Sequence, residues 1–291
     1  MENTKKFYLK PFLYWTIIVA FIASIITFFY NNIEKFDNQQ SNFSTISGRK
    51  ISQTLVGSDC ERVSEKVRNE ISDIEKKISH DFCNSYIDLL NNSNGAWVDL
   101  DDFTIDILEK IIRISRKTNG LYDPTYLTLI KMYDQNSEKD ISDSTILEEL
   151  QKVNFNFIEI DKQNNRARIN GYGTLLTLND IIDGIACNIA INFYKNSKIN
   201  KAMIQVGNCT GYFNYSDKKE DQNVQNGFIC TLDKSQRIIN PNSGRIITKY
   251  LPKSFYHQSD GIIACILARI CASVDEKESS KVVKLFENYK D

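Results

Sequence analysis

The chain has almost no histidine, little proline and no excess of either charge. Its 291 residues include two His, four Pro, 36 Lys and Arg, and 37 Asp and Glu, for a net charge of −1. Each shortage excludes something. A near-neutral balance gives no electrostatic footprint for a phosphodiester backbone, so no nucleic-acid partner is expected. With two histidines and seven cysteines (60, 83, 187, 209, 230, 265 and 271) that form no C-x-x-C pair, a zinc site has little to stand on. An odd number of cysteines cannot all pair within one chain. Cys265 and Cys271 sit in an apolar stretch and read as small core residues. The G-x-G-x-x-G fingerprint and a regular βαβ rhythm are also missing, which argues against a Rossmann fold.

What is present supports a sizeable core: 42% of residues are hydrophobic and 11% aromatic. Between Lys10 and Glu34 the run PFLYWTIIVAFIASIITFFYNNI carries no charge. It is long enough to cross a hydrocarbon layer of roughly 30 Å at about 1.5 Å per residue. A transmembrane anchor is expected over residues 12–30. The alternative is a cleaved signal peptide, but Ala20, Ala23 and Ser24 lead straight into IITFFY without a small-residue cleavage site. Lys5, Lys6 and Lys10 precede the run, and Glu34 and Asp37 flank a single Lys35 after it. The positive-inside rule then predicts a cytoplasmic segment over 1–11 and an extracytoplasmic domain at the cell membrane. Residues 31–48, polar and aperiodic, read as a linker. One folded domain is expected over 49–291.

Within that domain Val63, Val67, Ile71, Ile74 and Ile78 fall at the spacing of one buried helix face over 61–79. A second helix is predicted over 102–117, ended by TNG, and a third over 144–153. FNFIEIDKQNNRARI alternates apolar and polar residues about a polar turn and predicts a hairpin. A helix over 185–196, the strand KAMIQVGN, a polar insertion over 216–225, an apolar helix over 261–272 and an amphipathic one over 277–288 follow. The mixture predicts an α+β fold.

Four stretches could carry chemistry. KTNGLYDPTYLTL sets Thr118, Asp123 and Thr125 around a Gly and a Pro; the bland reading is a helix stop and an Asp-Pro turn. NDIIDGIACN offers Asp180 and Asp183 to a metal and Gly184 for close approach of a phosphate, or simply caps a helix. IQVGNCTG ends a strand in Gly207 and Asn208, and RIINPNSGR carries Arg237 and Arg245 in a turn-rich loop.

Taken in order, these stretches resemble the FAD:protein FMN transferases, the ApbE-like flavin transferases, from about residue 50 to 288. SYIDLLN (Ser85 to Asn91) is similar to the family's Ser-Glu-x-x-x-x-Asn element, and TNGLYDPT to its Thr-Gly-Gly-x-Phe-Asp-x-Thr loop. DGIACN resembles Gly-Ile-Ala-Lys-Gly, IQVGNCTG stands where Gly-Gly-Asn is usual, and INPNSG looks like the Asp-Pro-x-Thr-Gly loop. SDGIIACILA is similar to Ala-Asp-x-x-x-Thr-Ala. The resemblance implies a Mg²⁺-dependent transfer of FMN from FAD to a threonine of a partner flavoprotein, an extracytoplasmic or membrane acceptor, with release of AMP. It places Ser85, Asn91, Thr118, Asp123, Thr125, Gly207 and Asn208 around FAD, and Asp183, Gly184 and Asp260 at the metal. It assigns no catalytic residue.

The departures bear on activity. Ala264 replaces the metal-binding Thr, Cys187 the Lys, Tyr86 the Glu, Asn192 an Asp and Arg237 a His, and the span from Gly211 to Arg237 is short. A weakened transferase is expected, with a binding or assembly module as the alternative. Introducing Ala264→Thr and Cys187→Lys together is expected to restore part of the activity.

Overall fold

The computed structural model describes residues 15–16, 18–25, 37–136, 141–215, 224–232, 237–248, 250, 253–287 and 289. It divides into two units, Met1–Asp37 and Asn38–Asp291. In the first, residues 15–16 and 18–25 are helical and solvent-exposed, and Asp37 begins a strand. No helix among the described residues is long and apolar enough to cross a membrane. Of the expected anchor, positions 12–14, 17 and 26–30 lie outside the described residues, as does all of the basic segment 1–11.

The second unit runs β1 (Asp37–Ser44), β2 (Lys50–Gly57), α1 (Cys60–Ile78), α2 (Tyr86–Asn92), β3 (Val98–Asp99), α3 (Asp102–Lys117), α4 (Leu127–Gln135) and α5 (Asp143–Leu150). It continues through β4 (Ile158–Asp161), β5 (Arg166–Ile169), α6 (Ile182–Lys195), β6 (Ile199–Val206), β7 (Cys209–Phe213), β8 (Gly227–Leu232), β9 (Lys253–His257), α7 (Gly261–Ser273) and α8 (Glu276–Phe286). The main sheet has the order β1-β2-β6-β7-β8-β9, and β3-β5-β4 form a smaller one. From β2 to β9 the pairing is antiparallel. This is the expected α+β class.

Strand alternation decides which face of the sheet is covered. On β6, Ala202, Ile204 and Val206 are buried while Lys201 and Gln205 face solvent. Helix α6 lies against β6 and β7, and α7 against β8 and β9, with α1 beyond α6. Apart from Arg269 and its last residue, helix α7 is apolar, and it is buried from Gly261 to Ala268, as a helix largely surrounded by protein must be. Four thiols meet where these helices touch the sheet. Cys209 and Cys230 are register partners across β7 and β8, and Cys187 donates to the Cys209 carbonyl at 3.4 Å. None of the seven cysteines forms a disulfide, and Cys83 alone is exposed. Cys265 and Cys271 are core residues, as expected.

The linker expectation over 31–48 needs correction beyond residue 36. Strand β1 occupies Asp37–Ser44 at the edge of the main sheet. Its half-buried side is Gln39, Ser41 and Phe43; Ser41 bonds Ser64 at 2.8 Å, and Arg68 stacks over Phe43. A polar edge strand has no apolar alternation to betray it, and polarity is how edges avoid pairing with other chains. The stretch 31–36 lies outside the described residues. A second correction concerns α6, which begins at Ile182 rather than Ile185, so Asp183 and Gly184 belong to its first turn. The predicted insertion over 216–225 falls mostly on residues 216–223, outside the described ones.

Candidate functional site

Two helix starts meet at the centre of the unit. A Cβ on Gly184, in the first turn of α6, would collide with the carbonyl of Gly261 at the first residue of α7, and a Cβ on Gly261 would lie 2.7 Å from the Gly184 oxygen. Both positions must be glycine for the backbones to come this close. The smallness of Gly184 therefore serves helix-to-helix contact.

Asp260 caps α7. Its Oδ1 accepts from the Ile262 amide at 2.9 Å and from Asn188 Nδ2 at 2.8 Å. Its Oδ2 is ion-paired with Lys110, which reaches across from α3. Asn188 uses its own oxygen to accept from the Gly261 amide at 2.7 Å. Lys110 and Asn188 also line two hollows: a cleft of about 900 Å³ with Asn192, Lys195, His257 and Asp260, and a smaller one of about 360 Å³.

Asp183 points elsewhere. Its Oδ2 accepts from the Asn208 amide at 2.9 Å, and its Oδ1 pairs with Arg49, whose Nε also holds Glu75 at 3.1 Å. Ser47 donates to the same Glu75 oxygen. Burial opposes the charge on Arg49, but Asp183 and Glu75 outweigh it and hold its pKa above the ordinary arginine value. Gly207, with φ of 50°, lets the β6–β7 turn pass over the Asp183 carboxylate, where any Cβ would clash. Gly207 and Asn208 thus meet Asp183, and border a hollow with Arg49.

The other expected FAD contacts are spent within the fold. Asp123 Oδ1 accepts from the amide and the hydroxyl of Thr125 at 2.9 and 2.6 Å, and its Oδ2 from the Phe155 amide at 2.9 Å. The Thr125 hydroxyl accepts in turn from the Asn154 amide. Burial raises the Asp123 carboxyl pKa against these bonds. Thr118 donates to the Ile114 carbonyl at the end of α3. Ser85 caps α2 by accepting from Asp88 at 3.0 Å. Asn91 bridges both backbone groups of Leu176 at 2.9 and 2.7 Å. None of these side chains lines the Asp260 cleft. Asp180 lies in a separate cluster, 3.4 Å from both the Tyr122 hydroxyl and Arg269, which stacks over Tyr126. Burial pushes the Asp180 carboxyl up, against the pull of Arg269.

Mg²⁺ demands near-ideal octahedral oxygen coordination, and the donors do not supply it. Both Asp260 oxygens are engaged by nitrogen donors, Ala264 one turn on has no side-chain oxygen, and Asp183 is closed off by Arg49. Among the described residues no cluster of three or more His, Cys, Asp or Glu side chains could hold a metal ion. The residues do not fit the cation. Nor would Cys187→Lys repair the site: Cys187 is fully buried against the sheet, so an ammonium there would be stranded in the core.

A sequence model of the ApbE family matches residues 45–227. The chain belongs to the ApbE family. Solved structures agree on the fold. The ApbE protein of Thermotoga maritima is 19% identical with a TM-score of 0.69, over 87% of this chain and 92% of that one. The Pseudomonas stutzeri flavinyl transferase ApbE is 15% identical with a TM-score of 0.75, over 87% and 91%. The Vibrio cholerae flavin transferase ApbE is 14% identical with a TM-score of 0.72, over 86% and 91%. No curated protein matches the chain. Lys110, Lys195 and His257 are among the lining residues of this ApbE-family cleft that motif reading missed. One signal for Lys110 was available: it stands three residues after Ile107 and four before Ile114, on a face that is otherwise apolar.

Proposed function

We propose that this ApbE-family chain binds FAD in the cleft beside Asp260, as a protein of the FAD:protein FMN transferase kind whose transfer step is weakened. The supporting observation is the cleft itself: about 900 Å³, a size suited to a cofactor-sized ligand, with Lys110 and Lys195 on its walls to meet phosphate oxygens. In the transfer, a threonine hydroxyl of a partner flavoprotein attacks the FMN phosphorus, the diphosphate P–O bond breaks, and AMP leaves with the electron pair. Positioning and charge supply most of the rate of such a step. Among the described residues, the charged donors on these walls are the ammonium groups of Lys110 and Lys195, which is the reason for expecting slow transfer. The acceptor is extracytoplasmic in this reading, the chain being anchored at the cell membrane by residues 12–30.

The test is a flavin-fluorescence titration of the full chain with FAD, followed by mass spectrometry of a threonine-containing acceptor incubated with the complex. Binding with a trace of FMN-labelled acceptor is the expected result; no binding would refute the reading. A reporter fused at the C-terminus tests the topology: activity of a reporter that works only in the cytoplasm would overturn the anchor. A second reading, a module that binds without transferring, is favoured by the Lys110–Asp260 pair and predicts binding with no label at all.

A further inference from the structure

The donors around Asp260 do more than disfavour a divalent ion. We infer that Lys110 stands in for it: the ammonium is a cation built into the chain, and any diphosphate-bearing ligand of this cleft is held without metal. The inference rests on the FAD-binding reading for its ligand, but its core is geometric.

Three observations carry it. The first is commitment: Asp260 Oδ1 has two nitrogen donors, Asn188 Nδ2 and the Ile262 amide, and Oδ2 has the ammonium. A divalent ion would have to displace the ammonium from a largely buried pair, because the Lys110 side chain is only 13% exposed and that of Asp260 7%. Breaking a buried ion pair is costly. The second is support. Asn188 bonds the carboxylate with its amide nitrogen and the Gly261 amide with its oxygen, which fixes the carboxylate on the helix cap. Position 264, one helical turn after Asp260 on the same face, offers a methyl group where a coordinating ion would need oxygen. The third is placement: Lys110 lines both the 900 Å³ and the 360 Å³ hollows. Its charge can therefore face a ligand from the position it holds on Asp260.

A tethered ammonium differs from Mg²⁺ in kind. It gives one positive charge rather than two, three donors rather than an octahedron, and no metal-bound water. Such a site suits retention of a diphosphate better than activation of its phosphorus.

The experiment uses the full chain, as wild type, Lys110→Met and Lys110→Arg, with MgCl₂ or EDTA. Two readouts are taken: the thermal unfolding midpoint without flavin, and the FAD dissociation constant by fluorescence. For wild type we expect neither to change between Mg²⁺ and EDTA. Lys110→Met should weaken FAD binding about tenfold, as expected for one lost charge-assisted contact, and should still show no midpoint that rises with Mg²⁺, because Asp260 Oδ1 stays engaged and position 264 has no side-chain oxygen. Lys110→Arg should stay metal-independent. A wild-type midpoint that rises with Mg²⁺, or wild-type FAD binding lost in EDTA, would overturn the inference, and neither observation needs a variant to fold. Lys110→Met that binds FAD like wild type would overturn it as well. If wild type binds no FAD under any condition, the FAD reading fails, while the flavin-free midpoints still decide whether Lys110 occupies the place of the cation.

Discussion

The starts of α6 and α7 pose the same electrostatic problem and resolve it differently. Each places a buried aspartate in the field of a helix N-terminus, and each answers it with one cation from a distant segment. At α6 the cation is Arg49, whose planar fork serves Asp183 and Glu75 together and so ties the lead-in to β2, helix α1 and helix α6 into one knot. At α7 it is Lys110, which pairs with Asp260 on the wall of a cleft. A guanidinium shared between two carboxylates is committed to the fold. An ammonium on a cleft wall stands where a ligand can meet it. The chemistry of the cation thus separates a structural centre from a binding one, although the two carboxylates lie in similar sequence contexts.

That distinction breaks most sharply with Arg49→Ala. Two buried carboxylates would lose their partner, and we expect a stability loss of about 3–5 kcal/mol by denaturant unfolding. Arg49→Lys should recover only part, since a point charge cannot span both carboxylates. A loss under about 1 kcal/mol would mean that this centre is solvated like a surface pair. Next, Lys110→Met should cost about 2 kcal/mol, the scale of a hydrogen bond to a charged group. Asp260 keeps its other two donors there, so the loss should fall below that at Arg49; the reverse order would dissolve the contrast. Gly184→Ala, which forces α6 away from α7, should cost about 1–3 kcal/mol as overpacking and weaken FAD binding in the same variant, because Asn188 rides on α6.

The smallest effect checks that mild acid acts outside both centres. Burial is the main cause that lowers the pKa of His80, whose Nδ1 lies 2.9 Å from the Thr177 hydroxyl. A histidine with a depressed native pKa contributes stability above its unfolded value of about 6.5, and that contribution is lost as pH falls through the native value. The unfolding midpoint should therefore drop as pH falls below about 6.5, and His80→Gln should flatten the drop. An undiminished drop in His80→Gln would place the acid-sensitive group elsewhere.

Much of the fold was legible because its signals are local. Val63 to Ile78 show the α1 stripe, Asn119 and Gly120 both take the left-handed conformation that ends α3, and IEID and RARI form the predicted hairpin. Strand β1 was not legible, because an edge strand facing solvent has no need of apolar alternation. For the site, Asp260 could be found by motif. Its partner could not, since the pair joins residues 150 positions apart and only the tertiary fold brings α3 to the start of α7. Asp123 and Thr125 in their turn and Asn91 on α2 read as ligand contacts in sequence; what the sequence did not show is that their side chains also satisfy backbone groups of buried loops.

The pairing of β2 with β6 has a consequence for how the chain is made. Ile51 lies opposite Val206, so β2 leaves the ribosome with β1 beside it but long before its other neighbour, β6, exists. At about 5–20 residues per second the wait is on the order of ten seconds. Over that interval Ile51 and Leu55, both destined for the core, have only the edge strand β1 to pair with, and the loop to be closed to β6 is long enough to make closure slow. Among the segments that emerge meanwhile, α1 and α3 with their apolar stripes and the β4–β5 hairpin are local structure that can shelter them. Early folding of this protein should therefore be helical, with the main sheet assembling late and from its middle outward.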